Sequence, residues 1–312
     1  MTSINTHSRK SKTLFLAHLA ALGAVAMWGY SFVSSRVLLD NGLGPVQIYV
    51  LRFIIAYFLV FLFSHKKLRA NSLADEGLFC ICGLAAGSLY FIAENTALEY
   101  TLATNVSLLT SMSPLITAML VAGLYKSEKL GIGTWIGSFL AVVGVICVVF
   151  NSSTELQVHP IGDFLSLAAA FSWAIYSLIL KKLGAGYDVW FISRKTFFYG
   201  LITAIPFLFF EENNVDLLST IQKPEVYGNL LFLGLGASTI AYILWAVSVR
   251  NLGAVNANNY MYFQSIITLI VAAIVLGEPI TMVGCIGIAL IVGGLWAGDN
   301  INKILAAKNN PK

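Results

Sequence analysis

Long apolar runs broken by short polar stretches repeat along the whole chain. About 20 apolar residues are needed for a helix to cross a bilayer, so the pattern predicts membrane-spanning helices near 14–38, 46–64, 77–99, 103–124, 131–150, 161–181, 191–210, 227–249, 254–276 and 280–298. The first run is long for the core of a signal peptide and is followed by further apolar segments, so it reads as a retained helix. Within these runs, polar residues recur at helical spacing and share faces.

Composition strengthens that reading. Of 312 residues, 58% are apolar and only 11% charged, and the mean hydropathy is +0.80, whereas soluble domains carry roughly 25% charge. Ten short-looped spans use nearly the whole chain, leaving no room for an extramembrane catalytic or nucleic-acid-binding domain. The formal net charge of +4 matters through its placement. With the N-terminus inside, cytoplasmic segments hold Arg9, Lys10, Lys12, Lys66, Lys67, Arg69, Lys126, Lys129, Lys181, Lys182, Arg194, Lys195, Arg250, Lys303, Lys308 and Lys312. The other side holds Lys223 within an acidic stretch of Glu211, Glu212, Asp216 and Glu225, and Arg36 and Arg52 read as lying near helix ends on that side. Both termini are therefore expected in the cytoplasm. Cys80, Cys82, Cys147 and Cys285 fall inside apolar runs, and Cys80 and Cys82 point to opposite faces, which is wrong for shared metal ligation.

The two halves match at an offset of about 150 residues. Ala103-Thr-Asn105 aligns with Ala254-Val-Asn256, Ile116-Thr117 with Ile267-Thr268, Glu128 with Glu278, Gly137 with Gly287, Gly144 with Gly294, and Trp28 with Trp173. Five helices per copy is an odd number, so the second copy must run through the membrane in the opposite sense. Inverted repeats offer two exchanged conformations about a site near the midplane, the arrangement of a transporter.

The stretches ALEYTLATN at Ala97 to Asn105 and LGEPITMVGCIGIALIVGG at Leu276 to Gly294 resemble the drug/metabolite transporter superfamily, specifically its ten-helix members with two EamA-type domains. The second-half copy of ALEYT reads VSVRN, a departure from the pattern at the counterpart of Tyr100. The resemblance implies a central cavity walled by the third, fourth, eighth and ninth helices, helped by the first and sixth. It also implies transport of amino acids, other small metabolites or drugs, often outward. The shared stretches lie at helix ends and packing glycines, so they mark the superfamily and not the substrate.

Helical spacing alone selects residues that face protein or a wet cavity. These are Trp28 and Ser31 in the first helix, Tyr90 and Glu94 in the third, Thr110 in the fourth, Trp173 and Tyr176 in the sixth, Ser238, Tyr242 and Trp245 in the eighth, and Asn256, Tyr260 and Gln264 in the ninth. Interhelical packing is the plainer role for any one of them. Glu94 is the sharpest, either as a proton-coupling carboxylate or partner of a substrate ammonium group, or as an interfacial acid near Glu99; Arg52 is its candidate partner, and a direct pair would mark it as structural. His18 reads as interfacial before it reads as a proton shuttle. Deep aromatic residues suit apolar or cationic solutes, and the expectation of no buried Lys or Arg in mid-span argues against a phosphorylated one. Pro114 should kink the fourth helix as a hinge and Pro206 the seventh. Gly83 and Gly87, Gly133 and Gly137, and Gly294 and Gly298 are spaced for close helix contacts.

The sequence thus predicts an all-α integral membrane protein of the cytoplasmic (inner) membrane, with ten transmembrane helices in two inverted five-helix repeats. Its expected parts are a tail at 1–13, repeats at 14–150 and 161–298 joined by an outer loop at 151–160, and a tail at 299–312. The expected function is secondary transport of a small organic solute, with efflux the expected direction, with no nucleotide-binding module, cofactor, metal or nucleic-acid partner, and with monomer and homodimer both open. A non-transporting structural subunit or lipid-modifying enzyme is the alternative, although an enzyme should show clustered mid-span acids, histidines or metal ligands.

Overall fold

The computed structural model describes residues 2–124, 131–149, 160–211 and 216–309. Glu128, Lys126, Lys129, the Asn151 run, Glu212 and Lys312 lie outside the described residues. Helices account for nearly all of what is described: α1 (Thr2–Asp40), α2 (Pro45–Phe63), α3 (Leu73–Tyr100), α4 (Ala103–Leu124), α5 (Ile132–Val149), α6 (Pro160–Leu183), α7 (Val189–Leu208), α8 (Pro224–Leu252), α9 (254–275) and α10 (Met282–Asn309). Among the described residues there is no strand. Also among the described residues, eight helices are long and apolar enough to cross a membrane; α5 carries only a shorter apolar stretch, Trp135–Gly144, and α7 is not among the eight. In α7 the apolar run is interrupted by Arg194 and Lys195.

Local chemistry sets the helix ends. Ser72 accepts a hydrogen bond from the Asp75 N–H at 3.1 Å to start α3, and Asp188 accepts from the Phe191 N–H at 3.0 Å to start α7, each satisfying a donor that has no partner within its own helix. Proline opens α2, α6 and α8, where its missing N–H removes nothing the helix would use. The turn before α9 needs Gly253 at φ 83°, a left-handed conformation that other residues resist.

Several helices are interrupted. The middle of α3 widens into a π turn at Leu84–Ser88, where Gly87 has φ −113° and ψ −105°, and α8 does the same at Phe232–Ile240. These positions lie about 150 residues apart, the offset at which the halves match. In α4 the break falls at Ser111–Met112, just before Pro114, and in α9 a turn at Asn259–Tyr260 separates Ala254–Asn258 from Met261–Val275. Pro114 thus sits at the start of the second segment of α4, as its inability to donate requires, and Ser113 Oγ donates to the Thr110 carbonyl at 2.6 Å. The break in α9 forms without a proline. Pro206 lies in the last turn of α7.

The core runs between α1, α2, α3, α6, α7 and α8 and is dominated by aromatic residues, whereas Phe58, Leu62, Phe63, Phe139, Phe164 and Trp296 point outward and are exposed. That inversion of the soluble pattern suits a lipid surround. At one flank α5 and α10 meet through glycines: a side chain at Gly137 would strike the Gly294 carbonyl at 2.8 Å, and one at Gly144 the Gly287 carbonyl at 2.6 Å. Gly83 and Gly87 of α3 likewise abut Gly200 of α7. These small-residue contacts are all within the chain, and they let helix backbones approach closely.

Candidate functional site

Four large rings meet where α1, α6 and α8 converge. The Trp28 ring lies 5.1 Å from Trp173 and 5.1 Å from Trp245, and 5.7 Å from Tyr242, mostly edge to face, the geometry in which ring quadrupoles attract. Three side chains reach the π turns. Trp28 Nε1 donates to the Ala237 carbonyl at 2.9 Å, Tyr242 hydroxyl to the Ala86 carbonyl at 2.6 Å, and Ser172 Oγ to the Ala85 carbonyl at 2.6 Å. A π turn disturbs the regular ladder of backbone bonds, and buried carbonyls need partners. The aromatic residues therefore stabilise the wide turns as well as pack.

Beside this cluster lies a small cavity of about 10 Å³, the room needed for one water molecule. Of the sequence candidates, Trp28, Ser31, Tyr90, Glu94 and Trp173 line it; Phe32, Phe91 and Met261 line it too and were not among the candidates. Their apolar character is why a search for polar stripes passes over them. Tyr176, Tyr242 and Trp245 pack around Trp173 one layer out, with ring centroids 5.1 to 6.1 Å from it. Ser238 sits in the π turn of α8, and Gln264 is buried on α9, its backbone against Gly29. Three candidates go elsewhere. Thr110 donates to the Val106 carbonyl of its own helix at 2.9 Å, Asn256 is exposed and donates to Leu252 at 3.0 Å, and Tyr260 pairs with His18 Nδ1 at 2.5 Å.

Two charges are buried near the cavity. Glu94 is 2% exposed and Arg52 is 0% exposed. This corrects the expectation that Arg52 lies near a helix end and that no basic residue is buried within a span. Its local sequence places it two turns into α2, but Ser238 on α8 accepts from its Nε at 2.7 Å and the Phe91 ring lies 4.6 Å from its Cζ. Among the described residues, ion pairs form at Arg36–Asp40 and Lys195–Glu76, and not between Arg52 and Glu94.

The two ends of the bundle differ in charge. At one, Glu76 on α3 accepts from Lys195, from the Tyr199 hydroxyl at 2.8 Å and from the Ala70 N–H at 3.0 Å, while Arg194 donates to the carbonyls of Ser64 and Lys67. Lys67, Lys181 and Arg250 gather at this end, around Tyr187 and the cavity below it. At the other, Glu211 accepts from the Val46 and Gln47 N–H groups at 2.6 and 3.0 Å, and Glu278 from those of Ala103 and Thr104 at 2.7 and 3.1 Å. Acids belong at helix N-termini. Burial nonetheless holds the Glu211 carboxyl above the ordinary carboxylate range, partly offset by those two hydrogen bonds.

A bundle whose described residues are helical, with eight helices among them able to cross a membrane, apolar outside and holding buried charge beside an inner void, defines a multi-pass membrane protein. The EamA-like transporter family model matches this chain twice, over residues 15–150 and 160–297, and the chain belongs to that family. It is similar to an uncharacterized transporter of Archaeoglobus fulgidus, 27% identical over 89% of this chain and 96% of the relative. It is also similar to a protein of Escherichia coli K12 named "Probable amino-acid metabolite efflux pump", 28% identical over 88% of this chain and 92% of that one. A solved crystal structure superposes on 93% of this chain and 98% of its own with TM-score 0.68 at 16% identity, a likeness of fold. Family membership makes the chain a membrane transporter of small solutes.

Proposed function

We propose that this protein is a secondary carrier of the cytoplasmic membrane that exports an amino acid or related metabolite by alternating access. In this reading ten helices span the membrane as two inverted five-helix repeats, about 14–150 and 161–298, with both termini in the cytoplasm. The observation that carries it is the central cavity, lined from α1, α3, α6 and α9 and so from both halves. Its walls include the helices bearing or clipping the two π turns, one in each half. Shared walls let the halves exchange which side reaches the void. The Lys- and Arg-rich end supports an N-in orientation by the positive-inside rule.

The substrate site then comprises Trp28, Ser31, Tyr90, Glu94 and Trp173 with Phe91 and Met261, supported by Tyr176, Ser238, Tyr242, Trp245 and Gln264. A volume of one water is a closed state, which a solute must widen. The test is counterflow in proteoliposomes: vesicles preloaded with unlabelled amino acids should accumulate the labelled solute, and Trp173→Ala should lower that uptake while the protein still elutes as a folded species. Absence of counterflow across amino acids, amines and nucleosides would overturn the reading.

A further inference from the structure

Resting on that reading, we infer that Arg52 and Glu94 form the two poles of a site for a zwitterion, with the solute's carboxylate on Arg52 and its ammonium group on Glu94. Both side chains are buried, yet they form no direct ion pair with each other. Arg52 uses Nε on Ser238 at 2.7 Å, while its Nη1 and Nη2 have no hydrogen-bond partner among the described residues. Glu94 Oε1 is equally unpartnered, and Glu94 lines the cavity. A buried ion without a partner is several kcal/mol less favourable than a paired one, so a fold that keeps one of each sign apart is incomplete without something between them.

Phe91 borders both the cavity and the guanidinium. Its ring lines the cavity and also lies 4.6 Å from Arg52 Cζ. It also packs against the rings of Tyr90 at 4.9 Å, Phe53 at 5.0 Å and Tyr49 at 5.6 Å. Displacing this ring joins the void beside Glu94 to the two free guanidinium nitrogens. The forked Nη pair matches a carboxylate. Glu94 Oε1, which has no hydrogen-bond partner among the described residues, matches an ammonium group, whose other contacts fall to the rings of Trp28 and Trp173 that already wall the cavity. The solute is therefore an α-amino acid with an apolar or aromatic side chain, and not a simple amine, acid or phosphorylated compound.

The experiment omits one charge at a time from the solute and uses the full-length protein in proteoliposomes. Phenylalanine, 2-phenylethylamine and 3-phenylpropionate compete with a labelled amino acid for uptake. For the unsubstituted protein, each one-charge analogue should compete at least about tenfold more weakly than phenylalanine, because one buried ion is left without its partner. In Glu94→Gln the penalty for lacking the ammonium group should vanish while that for lacking the carboxylate persists, and Arg52→Gln should show the reverse. A purely structural role would weaken all three competitors together. If an analogue competes as well as phenylalanine against the unsubstituted protein, the two-pole assignment is overturned while the carrier reading stands. Failure of any solute to be taken up overturns the carrier reading as well.

Discussion

Tyr242 is buried among aromatic rings, and its hydroxyl makes one bond, to the Ala86 carbonyl. Tyr242→Phe keeps the ring and removes the bond, leaving a buried carbonyl at a π turn without a donor. The expected result is a loss of about 1–3 kcal/mol, read as a lower melting temperature of the detergent-purified protein. An unchanged melting temperature would show that Ala86 finds another donor. At this scale Trp28, Trp173 and Glu94 were legible in the sequence because large or charged residues deep in apolar runs have few reasons to be there. Arg52 was misread for a physical reason. Its α2 neighbours are apolar and its distance from the helix start suits an interface, and what buries it is Ser238, far away in the chain, with the Phe91 ring. Thr110, Asn256 and Tyr260 satisfied the spacing rule, but helical spacing says only which residues share a face, and their partners are a neighbouring turn or the end of another helix.

Among the elements, α5 and α10 show most directly how sequence becomes packing. A side chain added at Gly294 would meet Leu140 Cβ at 2.5 Å, whereas one at the adjacent Gly293 meets nothing within 4 Å. Gly294→Leu should therefore destabilise the protein by about 1–3 kcal/mol, the usual penalty of overpacking, and Gly293→Leu should not. Equal melting temperatures for the two variants would remove the seam from the account. The break in α4 was readable because Pro114 announces it. That in α9 was not: Asn259 and Tyr260 carry no obligatory signal, and no proline marks the turn. The π turns were likewise hidden, because an extra residue in a helical turn leaves the apolar pattern nearly intact and is stabilised by donors such as Ser172 on other helices.

For the whole molecule, carboxylates from one half or the other bridge the two halves at both ends. Glu76 of the first half takes Lys195 and Tyr199 of the second at the basic end, and Glu211 and Glu278 of the second half hold the starts of α2 and α4 at the opposite end. Both sets are in place around a cavity with room for one water, which the proposed carrier reading takes as closed to either side. A single reporter thiol, Ser31→Cys in a background lacking Cys80, Cys82, Cys147 and Cys285, should then react slowly with membrane-impermeant reagents. Adding Lys195→Met should raise its labelling several-fold from the basic side alone, and adding Glu211→Ala from the opposite side alone. Faster labelling from both sides in either variant would mean that the bridges stabilise the bundle without gating it.

In the proposed carrier, Trp28 links an occupant of the void to the backbone. One edge of its indole borders the void, and its nitrogen holds the Ala237 carbonyl in the widened turn of α8. A molecule that pushes the indole aside must also loosen that latch, so the shape of a helix in the second half answers directly to what sits against the first. In the proposed carrier, one ring would meet both cargo and backbone.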